Sequence, residues 1–319
     1  MNKESLSKTT NIDTEVFICC ASFEHRCLSI AQKIDTSVLR RAIICSFEDS
    51  CPSVVNNRKF LHELFGEKGT VVIIEKDSPL ENYDKLYDIL QSLKGYKTVI
   101  DISTFTREMF LICLQLLRQL EFNREQINIC YNPSSVYSNI TNPDDFDKMW
   151  LSKGVNEIRS ILGFSGNPSA IKRNLLIVLV GFETERAQIL INSFEPAVLY
   201  LGKAPANFSN SVELSKINDE NVSRLSVMYP EAFHFEFSCV DLKLTIDQIS
   251  DIIEQNQGQY NIIISPMNNK VSTLAVASIA FKYPDIQICY ASANMYNISE
   301  YSSPSDSILW FKAQEVMNE

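Results

Sequence analysis

Two acidic–basic pairs stand out among the side chains able to do chemistry. Glu24 is followed two residues later by Arg26, and Glu183 three residues later by Arg186, each pair just behind an apolar run. A carboxylate this close to a guanidinium either forms a structural ion pair or orients the arginine toward a phosphate, with the glutamate a candidate general acid or base. Ser22 stands beside the first pair. His25 lies inside it and has no counterpart in the second, where Thr184 and Glu185 stand.

Two further stretches combine hydroxyls or amides with one base: Ser103-Thr104-Phe105-Thr106-Arg107 and Ser265-Pro266-Met267-Asn268-Asn269-Lys270. Small polar residues at a helix start leave backbone N–H groups facing outward, where the helix dipole favours an anion. Arg107 and Lys270 supply the countercharge, Ser103, Thr104 and Thr106 donate hydroxyls, and Asn268 and Asn269 suit a base edge or a ribose. Tyr137 and Tyr296 offer rings for stacking. The competing reading is structural, with the serines and threonines as helix N-caps, the bases solvated and the tyrosines packed in loops.

These residues recur in one register. Ile127-Asn128-Ile129-Cys130-Tyr131 and Ile286-Gln287-Ile288-Cys289-Tyr290 share the pattern Ile-x-Ile-Cys-Tyr, and each runs on to a tyrosine, Tyr137 or Tyr296. The copies lie 159 positions apart, and so do Ser22-Phe23-Glu24 and Gly181-Phe182-Glu183. Two motifs at one offset imply a tandem duplication of about half the chain.

The elements that position them alternate. Apolar runs at 16–20, 42–45, 71–74, 98–102 and 127–131 read as strands, each continuous as in a strand buried on both faces. Between them, 23–34, 54–65, 80–93 and 107–120 read as helices. The second half repeats the order, with strands at 175–180, 197–201, 233–237, 262–264 and 286–290 and helices at 184–194, 212–227, 244–254 and 270–281. This pattern implies right-handed β-α-β units. The expected fold is α/β: two tandem Rossmann-like three-layer sandwiches with parallel sheets, related by a pseudo-two-fold. The first half is expected over 14–140 and a connecting helix and linker over 141–173, with Asn142-Pro143-Asp144-Asp145 as a helix start and 146–162 as one helix interrupted at Gly154. The second half is expected over 174–319, its tail at 307–316 folding back because so many apolar side chains rarely stay exposed.

Composition bounds the function. A chain of 319 residues suits two ordinary domains. A net charge of −10 argues against general nucleic-acid binding and duplex DNA as a partner, while leaving room for a small anion in a locally basic pocket. Nine glycines, with no G-x-G-x-x-G and no G-x-x-x-x-G-K, count against a glycine-rich phosphate loop. Nine cysteines without C-x-x-C and three scattered histidines predict buried free thiols in a reducing cytoplasm and no metal site. No apolar stretch reaches the ~18 residues of a membrane span. No cofactor is expected.

The stretches at 98–117 and 262–280 resemble the fourth-strand motif of CRISPR-associated Rossmann fold (CARF) ligand-sensing domains: an apolar strand, an Asp or Asn, a Thr/Ser/Gly-rich turn, then a Lys or Arg opening a helix of small apolar residues. Ser103 and Ser265 match the turn hydroxyl, and Arg107 and Lys270 the base. The family's turn glycines are replaced by Phe105-Thr106 and Asn268-Asn269. The resemblance implies a cyclic oligonucleotide or similar nucleotide-derived anion, bound at the strand carboxyl ends between the two halves. It also implies a role as sensor or accessory subunit in bacterial antiviral defence, with a protein partner supplying the effector activity. The start, 15–22, is similar to the opening of TIR domains, some of which cleave NAD. The alternatives are therefore a nucleotide-processing hydrolase working through Glu24 and Glu183, or a ligand-free scaffold.

Overall fold

The structure is a computed structural model that describes residues 2–5, 11–48, 51–137, 150–298 and 301–317. It divides into unit 1, Met1–Tyr137 with Ile298–Met317, and unit 2, Ser138–Asn297 with Asn318–Glu319.

Along the chain, unit 1 forms β1 (Asn2–Ser5), β2 (Val16–Ala21), β3 (Arg41–Phe47), α1 (Pro52–Phe65), β4 (Gly69–Ile74), α2 (Pro79–Leu90), β5 (Thr98–Asp101), α3 (Arg107–Gln119), β6 (Ile127–Tyr131) and β7 (Ser134–Tyr137). Unit 2 forms β8 (Ser152–Lys153), β9 (Glu157–Ser160), β10 (Arg173–Leu179), α4 (Thr184–Phe194), β11 (Val198–Lys203), α5 (Val212–Met228), β12 (Phe233–Glu236), α6 (Leu242–Asn256), β13 (Tyr260–Pro266), α7 (Lys270–Lys282), β14 (Gln287–Ser292) and β15 (Met295–Tyr296). The chain then re-enters unit 1 as β16 (Ser302–Pro304), β17 (Ser307–Lys312) and α8 (Ala313–Val316).

Local sequence explains the elements. Every residue of β2 is buried, as its unbroken apolar run requires. Pro52 opens α1, where its missing N–H matters least, and Gly66 closes it with φ 53°. Thr106 caps α3 by accepting the Met109 N–H at 3.2 Å, and Asn269 caps α7 by accepting the Ser272 N–H at 3.0 Å. From Val271 to Phe281 every residue of α7 is buried, which suits its run of small and apolar side chains. No helix among the described residues is long and apolar enough to cross a membrane.

The unit 1 sheet runs β1-β17-β6-β5-β2-β3-β4, and the unit 2 sheet runs β12-β11-β10-β13-β14-β9. In unit 1, β6, β5, β2, β3 and β4 are parallel to their neighbours. In unit 2, β12, β11, β10, β13 and β14 are parallel. In both sheets the first parallel strand lies between the second and the fourth. The strand order therefore reverses at β2/β5 and at β10/β13, the positions where open parallel sheets leave a crevice at their carboxyl ends.

Neither sheet is wholly parallel. β17 lies antiparallel on β6, with Leu309 opposite Tyr131, and β9 lies antiparallel on β14, with Arg159 opposite Tyr290. A two-stranded ladder follows the last parallel strand of each unit, setting Ser302 opposite Tyr137 and Ser152 opposite Tyr296. Unit 1 is thus completed by the far end of the chain. Unit 2 is completed by residues that precede its own first parallel strand.

Three expectations need correction. Residues 150–162 are not helical: they carry β8 and β9, turn at Gly154 with φ 65°, and take their backbone bonds from β15 and β14. Residues 23–34 form two short 3-10 turns, His25–Cys27 and Ala31–Lys33, rather than one helix. Here Arg26 is drawn into the interior, where tertiary contacts override local spacing. The tail does fold back, burying Ile308, Leu309 and Phe311, but onto unit 1 instead of the second half. The helix start expected at 142–145 lies outside the described residues.

Candidate functional site

The loops that leave β2, β5 and β6 meet at the carboxyl end of the unit 1 sheet. Arg26 is 4% exposed, and each of its three guanidinium nitrogens donates a hydrogen bond. Nε donates to Glu24 Oε2 at 2.8 Å, Nη2 to Glu24 Oε1 at 3.3 Å, and Nη1 to the Asn132 carbonyl at 2.9 Å. The ring of Tyr131 lies beside it, 5.9 Å from the guanidinium carbon. Burial opposes the charge on Arg26, but the combined pull of Glu24, Tyr131 and Tyr137 outweighs it and holds its pKa well above the ordinary value. Ser302, from β16, donates its hydroxyl to Glu24 Oε2.

Unit 2 contains a similar cluster. Arg186 Nη1 donates to Glu183 Oε2 at 2.7 Å and to Ser152 Oγ at 2.9 Å, and Nη2 donates to the Ala291 carbonyl. The Ser152 hydroxyl and N–H both donate to Glu183 Oε1. The side chain of Arg186 is 7% exposed and that of Glu183 20%. Tyr290 and Tyr296 face each other, with their hydroxyls 3.4 Å apart.

The turns that precede α3 and α7 are pinned by the residues expected to meet a ligand. Thr104 Oγ1 donates to the Cys20 carbonyl at 2.6 Å, tying this turn to β2. Asn268 Nδ2 donates to the Val180 carbonyl at 2.7 Å, tying its turn to β10, and Asn269 Nδ2 donates to the Cys239 carbonyl at 2.7 Å. Backbone approach at the second turn is so close that a Cβ on Gly181 would sit 2.1 Å from the Met267 carbonyl oxygen. Ser22 Oγ accepts the Glu24 N–H at 3.4 Å.

Ser103 and Ser265 do not occupy equivalent places. Ile100 lies opposite Ile18 and Ile264 opposite Ile177, which is 159 positions after Ile18. The next residues, Asp101 and Ser265, therefore correspond, and the turn before α7 is shorter than the turn before α3. Ser103 accepts the Asn132 N–H at 2.8 Å through its hydroxyl, whereas Ser265 donates to the Cys289 carbonyl at 3.2 Å.

Ser22, Glu24, Arg26, Ser103, Thr104, Thr106, Arg107 and Tyr137 thus belong to unit 1, and Glu183, Arg186, Ser265, Asn268, Asn269, Lys270 and Tyr296 to unit 2. Arg107 and Lys270 are the first residues of α3 and α7, and both are partly exposed. Tyr137 is buried and packs edge-on to Tyr301, with ring centroids 6.2 Å apart.

Ser152 and Ser302 carry no sequence signal, whereas Asp101 ends the fourth strand at the place where the resembled motif has an Asp or Asn. Asp101 was legible, since an acid ending an otherwise apolar strand is seldom buried without a role. It is 1% exposed, and burial pushes its pKa up to about 6 against the pull of Ser103 and Arg26. No local pattern marks Ser152 or Ser302, because each acts on a glutamate distant in sequence. Among the described residues, no group of three or more His, Cys, Asp or Glu side chains is placed to hold a metal ion.

No protein-family model matches the chain, and no curated protein matches it. Among solved structures, an SAH-bound methyltransferase of Podospora anserina, PaMTH1, aligns over 37% of this chain and 45% of its own at 9% identity, TM-score 0.25. The chain thus spans less than half of that protein's length. A functionally unknown protein of Pseudomonas aeruginosa PAO1 aligns over 88% of this chain and 93% of its own at 10% identity, TM-score 0.24. Neither score reaches the level at which a fold is shared.

Proposed function

We propose that the chain is a binding module for a nucleotide-derived anionic small molecule, serving as a sensor or accessory subunit whose output passes through a partner protein. The observation that carries this reading is the placement of Arg107 and Lys270. Each opens a helix of 13 residues directly after the fourth parallel strand, at the reversal point of its own sheet. A helix start there favours negative charge, and a partly exposed base adds to it.

Binding is favoured over hydrolysis by the state of the two candidate bases. Glu24 already accepts three hydrogen bonds from Arg26 and Ser302, and Glu183 three from Arg186 and Ser152, so both oxygens of each carboxylate are engaged within the fold, which disfavours either as a general base. The chain is also proposed to be a tandem duplication of one Rossmann-like unit. The common strand order, the matching registers of β17 on β6 and β9 on β14, and the two Glu–Arg–Ser clusters support that origin. The resemblance to CARF domains selects cyclic oligonucleotides as the first ligands to try, and antiviral defence as the setting.

The test is a thermal-shift screen with cyclic oligonucleotides, NAD and ADP-ribose, each followed by product analysis. A bound ligand raises the melting temperature by mass action and is recovered unchanged. Turnover abolished by Glu24→Gln overturns the sensor reading in favour of a hydrolase, and the absence of any shift counts against both.

A further inference from the structure

Two buried oxygens at the carboxyl end of the unit 1 sheet accept no hydrogen bond: Oδ2 of Asp101 and Oδ1 of Asn132. Their side chains are 1% and 0% exposed. Asp101 ends β5, and Asn132 follows the neighbouring β6. Asp101 lies opposite Cys130, two residues before Asn132, so strand alternation sends all three side chains to one face of the sheet. Ser103 ties the two together, donating its N–H to Asp101 Oδ1 at 2.9 Å and accepting the Asn132 N–H at 2.8 Å.

The Asn132 amide has a fixed orientation. Its Nδ2 donates to the carbonyls of Ser305 and Ser307 at 2.7 and 2.8 Å, in the segment leading into β17. β17 flanks β6 on the side away from β5. With its nitrogen held toward β17, the amide turns its oxygen toward β5 and Asp101. Unit 2 lacks both acceptors. Ser265 corresponds to Asp101 and uses its hydroxyl elsewhere, and Ala291 corresponds to Asn132, its carbonyl taking the Arg186 bond as that of Asn132 takes the Arg26 bond.

We propose that Asp101 and Asn132 form a proton-binding site, present in unit 1 alone, in which the protonated Asp101 Oδ2–H donates to Asn132 Oδ1. The proton comes from solvent as pH falls, forms one O–H bond on Oδ2, and satisfies both orphaned acceptors at once. Its loss sets a carboxylate against an amide oxygen and loosens the tie between the ends of β5 and β6. Residues 102–106, which lead from that tie to Arg107, are the segment this loosening reaches. The site stands independently of the ligand proposed above.

The charged and titratable groups facing Asp101 are Arg26, Cys19, Cys27 and Cys130, with Glu24 engaged beyond Arg26. Arg26 and Ser103 favour the carboxylate, burial opposes it, and burial wins, placing the pKa at about 6. The three thiols are themselves pushed up, Cys27 to about 12, and stay neutral through this range. The folded carboxyl pKa lies above its ordinary value of 3.8, so the folded state holds the proton more tightly than the unfolded chain. The stability this contributes is complete below that ordinary value and is lost as pH rises through about 6.

The test compares the whole chain with Asp101→Asn, whose amide N–H replaces the shared proton permanently. The variant is expected to match the parent at about pH 3, below the ordinary carboxyl value, and to exceed it at about pH 8 by about 100-fold in folding equilibrium constant. A difference between the two chains that does not change with pH overturns the proposal. Independently, carbon NMR of the Asp101 carboxyl is expected to titrate at about 6 in the parent and lower in Asn132→Ala, which removes the acceptor. An unchanged midpoint in Asn132→Ala overturns it as well.

Discussion

Ser302 donates a hydrogen bond to Glu24 across 278 positions of sequence. Ser152 does the same for Glu183 across 31. Each serine sits on the short strand that precedes the strand lying antiparallel on the last parallel one, β17 on β6 or β9 on β14, so these segments do more than extend a sheet. They hold the carboxylate that in turn holds a buried arginine at the strand ends.

Removing one partner of such a pair leaves the other charged and buried. Glu24→Ala strands Arg26 and is expected to lower stability by about 3–5 kcal/mol, read from denaturant midpoints. Glu24→Gln keeps the shape and one acceptor, so its loss is expected to be smaller. A cost under about 1 kcal/mol for Glu24→Ala is the result expected of an exposed pair, and would contradict the burial described above.

The far end of the chain is expected to stabilise unit 1 selectively. Ile308 is 0% exposed within the unit 1 core. Ile308→Ala should cost about 2–5 kcal/mol. Hydrogen exchange should then quicken in β6 and β5 while β13 and β14 stay protected. Equal loss of protection in both units would show that the tail is not specific to unit 1.

The thiols offer a solvent probe of the same packing. Eight of the nine cysteines are buried and Cys51 is half-buried. Burial pushes Cys113 and Cys239 up to about 12, which leaves almost no thiolate near neutrality. Iodoacetamide labelling of the native protein, followed by mass spectrometry, is expected to modify Cys51 first and the others only on unfolding. Rapid labelling of Cys19 or Cys45 would mean that β2 or β3 is open to solvent.

Much of this architecture was legible because buried parallel strands leave a plain signal. The runs ending at Cys20, Cys45 and Tyr131 are apolar on both faces, and the helices between them carry ordinary stop signals such as Gly66. The segment at 150–162 was not legible. Leu151, Val155, Ile158 and Ile161 recur at near-helical spacing, and only pairing with β14 and β15 makes them strands. The candidate site was legible by position, since the turns after β2 and β5 do converge. What their side chains do was not: Thr104, Asn268 and Asn269 could equally serve a ligand or neighbouring carbonyls, and in the structure each already bonds one.

We propose Arg107 and Lys270, each at the start of its own helix, α3 or α7, as contacts for a nucleotide-derived anion. A charge-assisted contact contributes roughly 1.5–3 kcal/mol, so Arg107→Ala or Lys270→Ala should each weaken binding about 10- to 150-fold while leaving the fold intact. The most direct measurement is calorimetric titration of the intact chain and of these two variants with cyclic oligonucleotides. The account predicts saturable binding to the parent chain and a weakened isotherm in each variant; no heat with any of them, or affinities in both variants equal to the parent's, would contradict it.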